Sequence, residues 1–130
     1  MPKFVTRFTA LVLDDDEQVL EEISEVISII GGVVSAFNNP TECLNYLEKN
    51  PSDYDLVIVD LAMPTINGVE FLKKASELLS SSTRKFLITG LAELDGKKIE
   101  ETSDLTVLLK PVSLSKLKKK IGSTILHDTT

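Results

Sequence analysis

With 130 residues, 42% of them hydrophobic and 26% charged, the chain has the size and balance of one compact domain with a sizeable core, which excludes wholesale disorder. Its net charge of −6 argues against a domain that grips nucleic acid, for which a basic surface is needed. The single Cys43 excludes an intramolecular disulfide, and no stretch has the length of a secretory or membrane-spanning segment, so the expectation is a soluble cytoplasmic protein.

Residues 1–8 read as a leader without assigned structure. Ala10-Leu11-Val12-Leu13 is the first predicted strand. A helix follows, with Val19, Ile23, Val26, Ile27 and Ile30 as its apolar stripe and Glu21, Glu22, Glu25 and Ser28 off it. Val33 to Phe37 is the second strand. The next helix takes Asn39 as N-cap and Pro40 at its first position, with Glu42 placed for a capping box. Its core face is Leu44 and Leu47, with Cys43 beside them in the core. Leu56 to Val59 is the third strand, and a helix from about Gly68 to Leu79 turns Val69, Leu72, Ala75 and Leu79 inward. Phe86-Leu87-Ile88 is the fourth strand. The segment from Ala92 to Thr102 has a weak helical pattern broken by Gly96 and is expected to be short or mobile. Val107-Leu108-Leu109 is the fifth strand, and a last helix begins near Ser113 with Leu114, Leu117, Ile121 and Ile125 as its stripe. Residues 126–130 read as a frayed tail. Each strand is short and continuously apolar, as expected of strands buried on both faces of a parallel sheet. Five alternations of strand and helix predict a doubly wound α/β fold.

In open parallel sheets the ligand crevice lies outside the C-terminal strand ends. Strand one ends in Asp14-Asp15-Asp16, strand three in Asp60, strand four in Thr89-Gly90 and strand five in Lys110-Pro111. Asp16 is explained as an N-cap or first-turn acid of the first helix. The remaining carboxylates would repel one another unless a cation sat among them. A site of oxygen donors without His or Cys suits a hard ion such as Mg²⁺. Lys110 adds a positive charge and Thr89 a hydroxyl donor, which together could neutralise a phosphoryl group placed on Asp60 as nucleophile.

The stretches LVLDDDEQVLEEI, VIVDLAMPTINGVEFL, FLITG and VLLKPVSLSKL resemble the receiver domain of two-component response regulators. The D-x-x-M-P-x-x-x-G loop with a later K-P is the most specific part. The resemblance covers residues 9–126 of a single domain taken as 1–130. It implies a flavodoxin-like, doubly wound five-stranded parallel sheet in the order 2-1-3-4-5. It implies Asp60 as phosphoacceptor, served by a sensor histidine kinase or a histidine phosphotransfer protein. It implies Mg²⁺ bound by Asp15, Asp60 and the backbone carbonyl of Ala62, with Asp14 acting through water. Thr89 and Lys110 would contact the phosphoryl oxygens, and the Lys110–Pro111 peptide would be cis. Such a domain signals by conformational change or by passing phosphate onward, and catalyses nothing beyond its own phosphorylation and dephosphorylation.

One departure bears on the mechanism. The family's aromatic switch residue, three positions before the lysine, is here Val107, which predicts a muted or rerouted output. Among rivals, an aspartyl phosphatase would want a second Asp two residues after Asp60, where Ala62 stands. A flavin domain would suffer repulsion between its ligand's phosphate and three aspartates, and a receiver-like module that is never phosphorylated would not need all five side chains. Lys116, Lys118, Lys119 and Lys120 read as a solvated face, and His127 as a tail residue unsuited to a phosphorelay. Nothing after the last helix suggests an output domain, no membrane or direct nucleic-acid contact is expected, and the protein is expected to be a monomer or weak dimer.

Overall fold

The computed structural model describes residues 7–51, 53–90 and 105–126. Five parallel strands form one sheet in the order β2-β1-β3-β4-β5: β1 Phe8–Leu13, β2 Gly32–Phe37, β3 Leu56–Asp60, β4 Arg84–Thr89 and β5 Leu105–Leu109. Four helices accompany them among the described residues: α1 Glu17–Ile29, α2 Pro40–Lys49, α3 Gly68–Ala75 and α4 Leu114–Ile121. A turn of wider π-type helix, Gly122–Leu126, prolongs α4. The fold is the expected doubly wound, flavodoxin-like one.

Alternate strand residues feed two cores. On one face Leu11, Leu13, Val57, Val59 and Leu87 meet Cys43 and Leu47 of α2 and Phe71, Leu72 and Ala75 of α3. On the other, Ala10, Val12, Ile58, Phe86 and Ile88 meet Ile23 and Ile27 of α1 and Leu117 and Ile121 of α4. The strand β3 is buried at all five positions, because it has a strand on either side and helices on both faces.

The expectation that every strand is buried on both faces fails at the two edges. Val33 of β2 is 45% exposed and Leu109 of β5 is 48% exposed. An edge strand can be as apolar as a central one, so composition alone did not separate them. The first strand begins at Phe8, inside the expected leader, and Phe8 is buried.

The helices differ from expectation in detail. Asn39 caps α2 by accepting from Glu42 N, and Pro40 opens it, but the reciprocal capping box belongs to α3, between Asn67 and Glu70. Helix α3 stops at Ala75, four residues early, and Leu79 reaches the core from the following turns. Its inward face centres on Phe71, whereas Val69 is only half-buried. Leu44 is likewise half-buried, with Cys43 taking the core position. Leu114 is 43% exposed rather than packed. The weak helical segment from Ala92 to Thr102 and His127 lie outside the described residues.

Candidate functional site

Parallel registration brings the C-terminal strand ends together. Asp60 is the last residue of β3 and lies in register with Ile88 of β4, so Thr89 stands one step beyond it. Leu61 N donates to Ile88 O at 2.8 Å, fixing the chain just after Asp60. Lys110 N donates to Thr89 O at 2.7 Å, which carries the β4–β5 ladder one residue past β5. Asp14 N donates to Phe37 O at 3.1 Å and does the same for β1 and β2. Asp14, Asp60, Thr89 and Lys110 are thereby held by backbone bonds of the sheet or beside it rather than by a loose loop.

Side chains converge at this edge. Carboxylate oxygens of Asp14, Asp15 and Asp60 lie within 4.8 Å of one another. Asp14 and Asp60 are each 2% exposed, whereas Asp15 is open to solvent. Lys110 Nζ sits 2.9 Å from Asp60 Oδ1, across the end of the intervening strand β4. Thr89 is fully buried, and its hydroxyl donates to Gly90 O at 3.1 Å. Asp16 accepts from Gln18 N and Val19 N as the N-cap of α1, the role expected of it. Ala62 is exposed in the loop after β3, and the Lys110–Pro111 peptide is cis.

Asp14 is the electrostatically costly member. Burial lifts its pKa from 3.8 to about 6, helped by the neighbouring Asp60 and Asp15 charges. The Asp16 amide, which donates to Asp14 Oδ1 at 2.9 Å, and the Lys110 charge pull the other way. Asp14 Oδ2 is buried with no hydrogen-bond partner. A buried acceptor left in this state costs about 1–3 kcal/mol. The orphaned oxygen, the absence of nitrogen or sulfur donors and the crowding of three carboxylates all fit a hard cation.

The loop from β3 to α3 carries two further backbone features, at Thr65 and Gly68. Ile66 N donates to Pro64 O at 2.9 Å around Thr65, whose φ is 79°. This is a γ-turn of the rare positive-φ kind, strained for a β-branched residue. At Gly68 an added Cβ would lie 2.6 Å from Asp60 O and 2.7 Å from Leu87 Cδ1. Only glycine lets the start of α3 close onto the backbone of Asp60, where Gly68 N also donates to Leu61 O at 2.9 Å. The signal for Gly68 was present in the M-P-x-x-x-G spacing, whereas nothing in the identity of Thr65 announces a positive φ.

Comparison with known proteins bears on the same residues. The family model described as "Response regulator receiver domain" matches residues 10–122. A response regulatory protein of Vibrio parahaemolyticus is 30% identical over 115 residues, covering 87% of this chain and 46% of that protein. The response regulator receiver protein CpdR of Brucella abortus is 25% identical over 117 residues, covering 89% of this chain and 95% of that protein. The crystal structure of a response regulator receiver domain protein from Clostridium thermocellum superposes with a TM-score of 0.77 at 27% identity, covering 92% of this chain and 94% of that one. The chain spans less than half the length of several of the curated relatives it matches.

Proposed function

Since the chain belongs to the response regulator receiver domain family of two-component signalling, we propose that it accepts a phosphoryl group on Asp60 from a phosphohistidine. The donor is a sensor histidine kinase or a histidine phosphotransfer protein. An Asp60 carboxylate oxygen attacks phosphorus, the phosphorus–nitrogen bond breaks, and neutral imidazole leaves after taking up a proton. The product is an acyl phosphate, a reactive anhydride suited to a reversible signal.

The observation that carries this reading is the Lys110–Asp60 pair, 2.9 Å apart, at the edge of the acidic cluster. A lysine held there meets the charge that arrives with the phosphoryl group. The Thr89 hydroxyl, fixed at the end of the adjacent strand, is the neutral donor for a second phosphoryl oxygen. Asp14, Asp15, Asp60 and the carbonyl of Ala62 would hold Mg²⁺. When bound, that ion offsets the negative charge of the carboxylates and of the incoming phosphate. Burial of Asp60 in the fully packed β3 keeps its carboxylate in one place for in-line attack.

The chain is a signalling domain rather than an enzyme with turnover, and the proposed unit is 1–130 with a core of about 9–126. No helix among the described residues is long and apolar enough to cross a membrane, which is compatible with the cytoplasmic site proposed for it. Intact mass spectrometry after incubation with acetyl phosphate and Mg²⁺ tests the assignment. The parent should gain one phosphoryl group and Asp60→Asn none. An Asp60→Asn protein that still gains the mass, or a parent that never does, removes Asp60 as acceptor.

A further inference from the structure

Strand β2 is an edge of the sheet, with β1 as its one strand neighbour among the described residues. Asp14 N donates to Phe37 O, so Phe37 turns its backbone groups toward β1, and by alternation Ser35 and Val33 do the same. Gly32, Val34 and Ala36 turn theirs outward, where no partner meets them among the described residues. Val33 lies on the α2 side of this edge and is exposed, as is Tyr46 of α2, whose ring centroid is 5.1 Å from that of Phe37.

Charge and spacing select the occupant. A strand that pairs antiparallel with a copy of itself sets each residue opposite itself or a near neighbour, so any charge on it would meet its like. No residue of β2 is charged, in a chain whose net charge of −6 makes most other encounters between copies repulsive. Helix α1 joins β1 to β2 and lies over both. Paired strands sit about 4.8 Å apart, so two copies joined at β2 would bring their α1 helices to about 10 Å, the spacing of packed helices. The flanks that meet must then be small. Glu17 accepts from Asn38 Nδ2 at 2.8 Å, just past β2, and so marks the side of α1 that faces the edge. Ser24 and Ser28 follow on that side, two and three turns on.

The register follows from the same packing. A Cβ added at Gly32 would run into Ile27 Cγ2, so Ile27 lies over Gly32. Two residues on along β2 is about 7 Å, a little more than one helical turn, which sets Ile23 and Ser24 beside Val34.

We propose that β2 is the contact strand of a homodimer. The β2 strands of two copies pair antiparallel about a two-fold axis at Val34, perpendicular to the sheet, and the two five-stranded sheets become one. Val34 exchanges both backbone hydrogen bonds with Val34 of the other copy, and Gly32 does so with Ala36. Val33 comes opposite Ser35 of the other copy and diagonal to its Phe37, which covers the exposed side chain. Ser24 meets Ser24, and Glu21 comes opposite Ser28, whose hydroxyl donates to it. The pairing is isologous and uses up the edge, so it stops at two copies.

Sedimentation velocity of the full chain from micromolar to millimolar concentration tests the proposal, with circular dichroism to establish that each variant folds. The parent should form a dimer that holds or tightens as salt is raised, because the contact is uncharged and the net repulsion is screened. Ala36→Pro removes an outward amide and leaves the β1–β2 ladder its bonds, so it should weaken association about tenfold or more. Ser24→Cys should give a disulfide-linked dimer on mild oxidation, with about tenfold less from Glu22→Cys on the opposite flank of α1. The native Cys43 is buried and does not compete. A chain that stays monomeric through the millimolar range overturns the proposal. So does a dimer that a folded Ala36→Pro variant leaves equally tight, or a Glu22→Cys variant that links as readily as Ser24→Cys.

Discussion

Asp14 and Thr65 each hold free energy in reserve at the site. Asp14 has a folded pKa of about 6 against 3.8 for the solvated carboxyl of the unfolded chain, so the folded state binds this proton more tightly than the unfolded state does. Its contribution to stability is complete below pH 3.8 and is lost as pH rises toward 6. Two pKa units correspond to about 3 kcal/mol. Asp14→Asn keeps the acceptor for the Asp16 amide and removes the charge. In chelator it should therefore match the parent near pH 4 and exceed it by about 2–3 kcal/mol at pH 7, read from urea unfolding. A difference that does not change with pH would show that the charge is not what burial penalises. The strain at Thr65 predicts a second gain. A non-glycine residue held at positive φ costs about 1–3 kcal/mol, and glycine gives back part of that through its freer unfolded chain. Thr65→Gly should stabilise the protein by about 1 kcal/mol with an unchanged m-value. A destabilised Thr65→Gly protein would mean that the threonine side chain contributes more than its backbone costs.

Strand β5 and the capped ends of the helices show what the pattern of residues could and could not convey. Val107 pairs in register with Leu87 of β4, is half-buried, and has a short branched side chain with one preferred rotamer. It has no ring to act as the family's aromatic switch, so a change that followed the proposed phosphorylation would have to be taken up elsewhere. Adding beryllofluoride and Mg²⁺ should shift amide resonances strongly at residues 60–68 and 89–98, and weakly at 105–120 apart from Lys110. Equal shifts along β5 and α4 would overturn this. The strands were legible because short apolar runs between turn residues have few other uses, and the N-caps at Asp16 and Asn39 because such side chains accept from the first free amides, whereas Ser113, expected only near the start of α4, is its N-cap. The N-x-x-E spacing at Asn67 carries the same signal for the box at the start of α3, in a loop that also holds Pro64 and Gly68 of the candidate site. The early end of α3 was not visible, since Leu79 keeps a helical spacing while packing from outside the helix.

For the whole molecule, strand order came from family resemblance, because five apolar strands carry no label for their neighbours. The set of residues at the C-terminal edge was legible from strand ends alone, since parallel pairing must bring such ends together. Which aspartate is buried was not. Asp14 and Asp15 are adjacent and identical, and only the exact end of β1 puts one of them inward and the other into solvent. One feature of the sheet also has a colloidal side. From Ile29 to Asn39 the sequence has no charge and no proline, and this run includes the whole of β2, the edge strand with Val33 exposed. Natural edges are usually guarded by lysine, proline or a bulge. An unguarded edge is a template for strand-by-strand growth once partial unfolding uncovers it, so β2 should be where fibrils nucleate at mildly denaturing temperature. Val33→Lys should lengthen the thioflavin lag time several-fold while leaving the native fold intact, and an unchanged lag would put the adhesive segment elsewhere. A strand edge left open among the described residues would thus set how long a concentrated solution of the protein stays clear.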